Sequence, residues 1–349
     1  MAELLADHTT LRVGGAAGRW LVAESSDELV AAVAAADAAG EPVLVLSGGS
    51  NVVVADAGFP GLVVQVGTRG FRTREEFCET DLAACGGVLV EVQAGEPWDP
   101  LVAWAVDHEL TGIEALSGIP GSVGSTPIQN VGAYGQEISQ TLWNVRTWDR
   151  HERRDRTFPN VDCGFGYRSS RFKADPGRYL VVSVVLQLRQ GDHSEPIRYQ
   201  QLADRLGVGL GERAPLAQVR EAVVELRRSK GMVLDDDDHD TWSAGSFFTN
   251  PVIDAAVSET LPAGTPRFQQ PDGRIKTSAA WLIEQAGFAR GYGRGPATLS
   301  TKHTLALTNR GAATAADVVA LASEIRGCVR QRFGVELEPE PVLIGVDLS

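Results

Sequence analysis

The sequence predicts an α+β chain of more than one domain, and three observations predict it. The first 70 residues alternate strand, helix, strand, glycine turn and strand. The residues after them are dominated by extended, β-branched runs. The stretch 115–135, ALSGIPGSVGSTPIQNVGAYG, fits neither the helical nor the strand period.

After a short arm at 8–13, residues 19–23 predict a strand. Ser25 and Ser26, followed by Asp27 and Glu28, predict a helix start ahead of 29–39. The hydroxyls can accept orphan main-chain N–H groups, and the carboxylates sit at the positive end of the helix dipole; Gly40 ends the helix. Residues 42–46 predict a buried strand running into the tight turn SGGSN at 47–51, and 62–66 a further strand before Gly67.

From Gly70 the pattern changes. Residues 82–94 predict one or two strands broken at Gly86-Gly87, and 99–108 a helix running into Gly112. Residues 141–148 and 153–158 predict antiparallel sheet, and YLVVSVVLQL at 179–188 is the strongest strand signal. Residues 217–228 place apolar and charged side chains at helical spacing and end before Gly231. DDDDHD at 235–240 predicts a solvated loop. A metal site is the lesser reading, because consecutive carboxylates on one loop repel and do not by themselves make a coordination geometry.

GSFFTNP at 245–251 opens a last segment with a helix at 277–286, a polar glycine-rich turn at 290–295 and a short strand at 304–308. A long helix follows at 314–333, with Val318, Leu321, Ile325 and Val329 along one side. In the closing VELEPEPVLIG, Pro341 lacks a donor and restricts Glu340 to extended geometry, which predicts a strand edge or exposed turn.

Composition narrows the function classes. A net charge of -13 with no Lys/Arg stripe opposes general nucleic-acid binding, so an anionic ligand must meet local positive charge. No apolar run reaches membrane-spanning length and the first residues lack a basic segment followed by an apolar core, so the expectation is a soluble cytoplasmic protein without membrane insertion. Cys78, Cys85, Cys163 and Cys328 lack CxxC spacing, which argues against structural zinc and a disulfide framework.

The two glycine-rich segments read as backbone laid close against a large flat or anionic ligand, or as ordinary surface loops. Gly121, Gly124 and Gly132 do not have the GxGxxG spacing of a doubly wound dinucleotide fold, and no GKS or GKT is present for a Walker A loop. Kinase, ATPase and simple nicotinamide-fold readings are excluded. What is left is a loop bed whose amides can meet a pyrophosphate from several directions.

Seven segments then resemble one family in its own order: LRVGG, VLSGGSNVVV within 43–54, GIPGSVGSTPIQNVGAYGQEI at 118–138, CGFGYRSSRFK at 163–173, AGSFFTNP at 244–251, AAWLIEQAG at 279–287 and LEPEPVLIG at 337–345. They resemble the UDP-N-acetylenolpyruvoylglucosamine reductase family over almost the whole chain. The resemblance implies a two-part FAD-binding region of the vanillyl-alcohol-oxidase-like type, divided as 1–69 with 334–349 and 70–230, and an α+β substrate-binding domain at 231–333 that closes over a UDP-sugar. It implies non-covalent FAD, NADPH as co-substrate, and UDP-N-acetylglucosamine enolpyruvate binding after NADPH has left. It also implies peptidoglycan precursor synthesis and the longer form of the family with a substrate-closing tyrosine; a monomer is expected.

By the same resemblance Arg168 holds the substrate carboxylate, Ser246 is the proton donor, and Glu340, in its protonated form, serves that carboxylate. These types suit the chemistry: an enolpyruvyl ether accepts hydride only when its carboxylate is made a better electron sink, which calls for cations and hydrogen-bond donors where charge grows. The family has a valine and often an arginine after the glutamate where this chain has Pro341 and Val342, so Glu338 stays as an alternative.

Tyr167, Tyr199, Lys230, Asn250 and Gln285 are implied as substrate-binding. For FAD the implied residues are Gly48, Gly49, Ser50, Asn51, Gly121, Ser122, Val123, Gly124, Gln129, Asn130, Gly132, Ala133, Tyr134 and Gly135. The competing readings are an FAD-linked sugar or alcohol oxidase and a non-catalytic module that binds FAD or a UDP-sugar.

Overall fold

In the computed structural model, which describes residues 2–76, 87–293 and 295–348, the β-branched run becomes the central Tyr179–Gln190 strand of the larger sheet. The main path of that sheet runs Arg154–Pro159, Leu142–Asp149, Tyr179–Gln190, Gly87–Gln93, Phe71–Glu76, all antiparallel. Residues 180–184 are buried without alternation, so both faces of this strand are covered there and it reads as a near-continuous apolar run. The part of the expected 82–94 strand before Gly87 lies outside the described residues, as do Cys78 and Cys85.

The chain clusters into two compact units: Met1–Gly18 with Gly49–Pro60 and Lys230–Ser349, and Arg19–Gly48 with Gly61–Ser229. The second unit holds the larger sheet. The Ser26–Ala39 helix starts as its sequence predicts, with the Ser25 hydroxyl accepting the Glu28 N–H at 3.2 Å, and Gly40 ends it at φ 67°. Leu29, Val33 and Ala36, on one face, join Val90, Val92, Val184 and Leu186 in one core with Trp98, Leu101 and Val102 of the Trp98–Asp107 helix. Each fully buried Val or Leu there stabilises the fold by about 1.5–3 kcal/mol relative to exposure.

A smaller cluster joins Leu202 and Ala203 of the Gln200–Leu206 helix to Val219 and Val223 of the Leu216–Ser229 helix, with Ala115 and Ile197. The first of these helices is not among the sequence expectations, although Gly207, at φ 71°, closes it in the usual way.

In the other unit the Ser243–Ser246, Ala306–Asn309 and Ala297–Leu299 strands form an antiparallel sheet. Val342–Ile344 pairs in parallel with Val52–Val54, which brings the chain end to residues 49–60. The Ala315–Phe333 helix is held at its start by a capping box between Thr314 and Asp317. Val318, Leu321, Ile325 and Val329 from that helix pack with Phe247, Phe248, Leu282 and Ile283. No helix among the described residues is long and apolar enough to cross a membrane.

The acidic run departs from a purely solvated loop. Asp240 is buried; it accepts the Thr301 N–H at 2.9 Å and an Arg310 Nη1 at 2.9 Å, while Asp238 pairs with Lys302 and Asp236 with Arg12. Burial alone would raise the Asp240 carboxyl, but Thr301 and Arg310 hold it below its ordinary range. Asp235, Asp236 and Asp237 are exposed as expected for a solvated run, whereas Asp240 fastens the 300–303 turn. No group of three or more His, Cys, Asp or Glu among the described residues is arranged to hold a metal ion.

Asp149, at the end of the Leu142–Asp149 strand, has a fully buried side chain. It accepts main-chain N–H groups of His151 and Glu152 at 3.1 Å each and Arg178 Nη2 at 3.0 Å. Burial would raise its carboxyl, but these donors and the Arg178 charge outweigh that and hold it at about 2. A depressed carboxyl contributes stability that is present above its unfolded value and lost as pH falls through the folded value. Asp149→Asn is therefore expected to cost about 1–3 kcal/mol at pH 7. Urea unfolding at a series of pH values should show wild type losing more stability than the variant between about pH 4 and pH 2; parallel curves would refute it.

Candidate active site

Within the unit that contains residues 61–229, the two glycine-rich segments touch. Built onto Gly48, a Cβ would lie 2.7 Å from the Gly121 Cα, and one on Gly124 would lie 2.5 Å from the Ala94 Cβ, both closer than real Cβ contacts. The Ser47 and Ser122 hydroxyls hydrogen-bond at the same crossing. The chain at 121–124 lies along 94–98: Trp98 N–H donates to the Gly121 carbonyl at 3.0 Å, Val123 N–H to Glu96 at 2.9 Å and Gly124 N–H to Ala94 at 2.8 Å. Asp99 accepts the Gly118 N–H at 2.6 Å and a two-point contact from Arg220.

This bed suits FAD. Its glycines let two backbones approach with no side chain between them, and neither 47–48 nor 117–135 carries an acidic side chain to repel a pyrophosphate.

Beyond Gly124 the bed is strained. Asn130, Tyr134 and Arg168 have φ of 47°, 49° and 50°, half of the six non-glycine residues with positive φ among those described. Such left-handed residues persist where surrounding contacts over-determine them, and they concentrate at functional sites. Asn130 is held by its own side chain, whose Nδ2 donates to Glu137 at 2.9 Å and to the Gly166 carbonyl at 3.1 Å while Oδ1 accepts the Ser139 N–H at 3.1 Å. Its side chain thus clips the loop, and any ligand contact from it falls to the main chain.

Arg168 Nη2 donates to the Gly132 carbonyl at 2.7 Å and Nη1 to the Asn130 carbonyl at 3.5 Å, so the bed fixes the plane of the guanidinium; the Tyr167 ring centroid lies 5.3 Å from its Cζ. Tyr134 and Tyr199 meet edge to face at 5.4 Å, and Val123 is fully buried beneath the loop. Gln129, Gly132 and Ala133 are half-buried along the same stretch and Gly135 is exposed.

In the unit that contains residues 230–349, Ser246 ends the Ser243–Ser246 strand opposite Ala306, immediately after Gly245 at φ 75° and a register shift. A bulge re-aims the side chain that follows it. The next two residues, Phe247 and Phe248, are fully buried and anchor the serine from the other side. Glu340 N–H donates to the Phe247 carbonyl at 2.8 Å, so the segments of Ser246 and Glu340 run side by side.

The Glu340 carbonyl accepts Asn51 Nδ2 at 3.3 Å, and Val342 N–H donates to the Asn51 carbonyl at 2.9 Å. Glu338 is exposed whereas Glu340 is half-buried. Gly49 packs where a Cβ would meet the His8 carbonyl, and Ser50 follows it half-buried.

Three of the five substrate-binding expectations, Lys230, Asn250 and Gln285, fall in this unit. Asn250 Oδ1 accepts the Ala279 N–H at 3.0 Å at the start of the Ala279–Gln285 helix, and Gln285 is exposed at its other end. Lys230 is half-buried at the unit's start. Buried Cys163 has its thiol pushed up to about 12 by burial, which keeps it protonated and unreactive. Residues to which the sequence reasoning gives no role are Asp99 and Glu114: Arg220 for the first, and Gln136 and Glu195 for the second, are remote in sequence, and no local pattern signals them.

Comparison with known proteins adds three findings. Residues 237–344 match the model described as UDP-N-acetylenolpyruvoylglucosamine reductase, C-terminal domain, and residues 19–151 match an FAD binding domain. The chain is 54% identical over 344 residues to the UDP-N-acetylenolpyruvoylglucosamine reductase of Cutibacterium acnes, covering 98% of this chain and 89% of that one. With the reductase of Thermobifida fusca it is 55% identical over 354 residues, 99% and 97% of the two chains. The crystal structure of UDP-N-acetylenolpyruvylglucosamine reductase from Thermus caldophilus is similar over 99% of this chain and 98% of that one, at 28% identity and a TM-score of 0.64.

Proposed function

The chain belongs to the UDP-N-acetylenolpyruvoylglucosamine reductase family, and from that premise we propose which of its residues carry the reaction. It is an FAD enzyme of α+β fold that uses NADPH to reduce UDP-N-acetyl-3-O-(1-carboxyvinyl)-α-D-glucosamine to UDP-N-acetylmuramate, in peptidoglycan precursor synthesis. FAD, when bound, carries the hydride from NADPH to the terminal vinyl carbon of the sugar substrate.

Arg168 holds the substrate carboxylate. Its guanidinium is fixed on the Gly132 and Asn130 carbonyls, and a pre-oriented fork loses less entropy on gripping an anion than a mobile one. Ser246 delivers a proton to the carbon next to the one that receives hydride; a hydroxyl is a weak acid, so its place on the bulge matters more than its acidity. Glu340 acts protonated, donating to the same carboxylate as charge accumulates there, because an ionised glutamate would repel it. Its partial burial and its main-chain tie beside Ser246 support it over exposed Glu338. The observation that carries the Ser246 and Glu340 assignments is that tie between their segments.

FAD is held by Gly48, Gly49, Ser50 and Asn51, by Gly121, Ser122, Val123 and Gly124, and by Gln129, Asn130, Gly132, Ala133, Tyr134 and Gly135. The UDP-sugar meets Tyr167, Tyr199, Lys230, Asn250 and Gln285; the Asn250 side chain meets the start of the Ala279–Gln285 helix that Gln285 ends. In functional terms 1–69 with 334–349 and 70–230 serve FAD and 231–333 serves the sugar. NADPH and the sugar bind in turn, the enzyme is a cytoplasmic monomer, and the FAD is non-covalent.

The test is direct. Purified protein should be yellow, release its flavin on acid precipitation, and oxidise NADPH only when the enolpyruvyl sugar is present. Flavin that stays with the precipitate, or NADPH oxidation indifferent to the sugar, would favour the oxidase or binding-module reading.

A further inference from the structure

We propose that Glu114 is a positioning residue for the reductase reaction: its carboxylate fastens the segment leading to Tyr199 onto the glycine-rich bed and thereby sets the Tyr134–Tyr199 ring pair. The inference rests on the reading that Tyr199 meets the UDP-sugar.

Glu114 is 1% exposed. Its Oε2 accepts the Gly112 N–H at 2.7 Å, and its Oε1 accepts both the Gln136 Nε2 at 2.8 Å and the Glu195 N–H at 2.7 Å. Gln136 in turn accepts the Ala115 N–H at 2.8 Å through its Oε1. One local donor and two from segments remote in sequence therefore converge on one side chain, and only a group with two acceptor oxygens and no donor satisfies them all. A glutamine there would aim its own N–H at one of these donors.

Burial pushes the carboxyl up, and the surrounding N–H groups oppose that rise. A buried carboxylate is costly to keep, so its retention at this junction calls for a purpose that an apolar side chain could not serve.

The junction lies where that purpose can act. Gln136 follows Gly135 at the end of the bed, and Glu195 precedes Tyr199 by four residues. Between them Ile197 is buried and its N–H donates to the Glu212 carbonyl at 2.8 Å, while Gly135 packs so closely on Arg198 that a Cβ would lie 3.0 Å from the Arg198 Cβ. Tyr199 itself is 44% exposed, so burial cannot place its ring; the position of the main chain does. Its edge-to-face contact with Tyr134, 5.4 Å between centroids, is then the outcome of where residues 195–198 are held.

The experiment compares wild type, Glu114→Gln, Glu114→Ala and Tyr199→Phe as FAD-loaded protein. Amide hydrogen exchange over 195–203 reads the position of the segment without reference to activity, and stopped-flow kinetics separate the NADPH half-reaction from the sugar half-reaction. Both Glu114 variants are expected to exchange on the order of tenfold faster in that window. They are also expected to raise KM for the sugar about tenfold, with the NADPH half-reaction unchanged within about twofold. Should Glu114→Ala fail to fold, Gln136→Ala, which removes one donor and keeps the carboxylate, carries the same comparison.

Unchanged exchange at 195–203 overturns the proposal, and so does an equal loss in both half-reactions, which would mark Glu114 as structural only. If Tyr199→Phe leaves KM for the sugar unchanged, the substrate reading of Tyr199 falls, and the tether from Glu114 stands or falls on exchange alone.

Discussion

Ser246→Ala is expected to slow the half-reaction with the enolpyruvyl sugar by about 10²- to 10⁴-fold, the range of a positioned proton donor. The half-reaction with NADPH should stay within about twofold, since hydride delivery from NADPH calls on no proton from this hydroxyl. The geometry explains why one oxygen can matter so much. Gly245 at φ 75° and the register shift set the turn of the chain, Ala306 pairs with the serine, and two fully buried phenylalanines follow it. Alanine keeps all of these, so folding and FAD content should match wild type. Rapid-mixing absorbance of the flavin measures both halves; equal damage to the two would remove Ser246 from the proton-donor role.

Glu340→Ala should lower kcat with the sugar about 10²- to 10³-fold, the loss typical of one donor aimed at developing charge. Glu340→Gln should lose less, about 10- to 100-fold, because an amide still donates but is a far weaker hydrogen-bond acid than a protonated carboxyl. Glu338→Gln should stay within about threefold, as an exposed charge whose residue contributes its main-chain carbonyl to Thr249. Steady-state kinetics of the three variants give the ranking. Were Glu338→Gln the most damaging, the register through LEPEP would be off by two residues.

Local chemistry made much of the fold legible. Ser25 and Gly40 bracket the Ser26–Ala39 helix and Thr314 and Gly334 the Ala315–Phe333 helix, because caps act through main-chain groups within four residues. The Gln200–Leu206 helix escaped, being too short for a clear period and stabilised by packing on the Leu216–Ser229 helix. At the site, 115–135 was readable as irregular backbone from its glycines and prolines, and the resemblance singled out Arg168, Ser246 and Glu340. Chemistry alone left Glu338 and Glu340 equal, since what distinguishes them, the partial burial of Glu340 and its main-chain ties to Phe247 and Asn51, involves residues remote in sequence.

By itself, then, the sequence determined the α+β class, the main helices and strands, the family and hence the reaction. These depend on periodicity, capping and strings of residues that need no partner elsewhere in the chain. Tertiary structure alone decided which carboxylates are buried and what they hold. Asp240 looked like one more solvated charge in DDDDHD, yet it fastens Thr301 and Arg310; Glu114 carried no local signal, yet it gathers donors from Gly112, Gln136 and Glu195. A carboxylate's cost and purpose are set by desolvation and by donors brought to it through folding, and neither quantity exists until the distant segments meet.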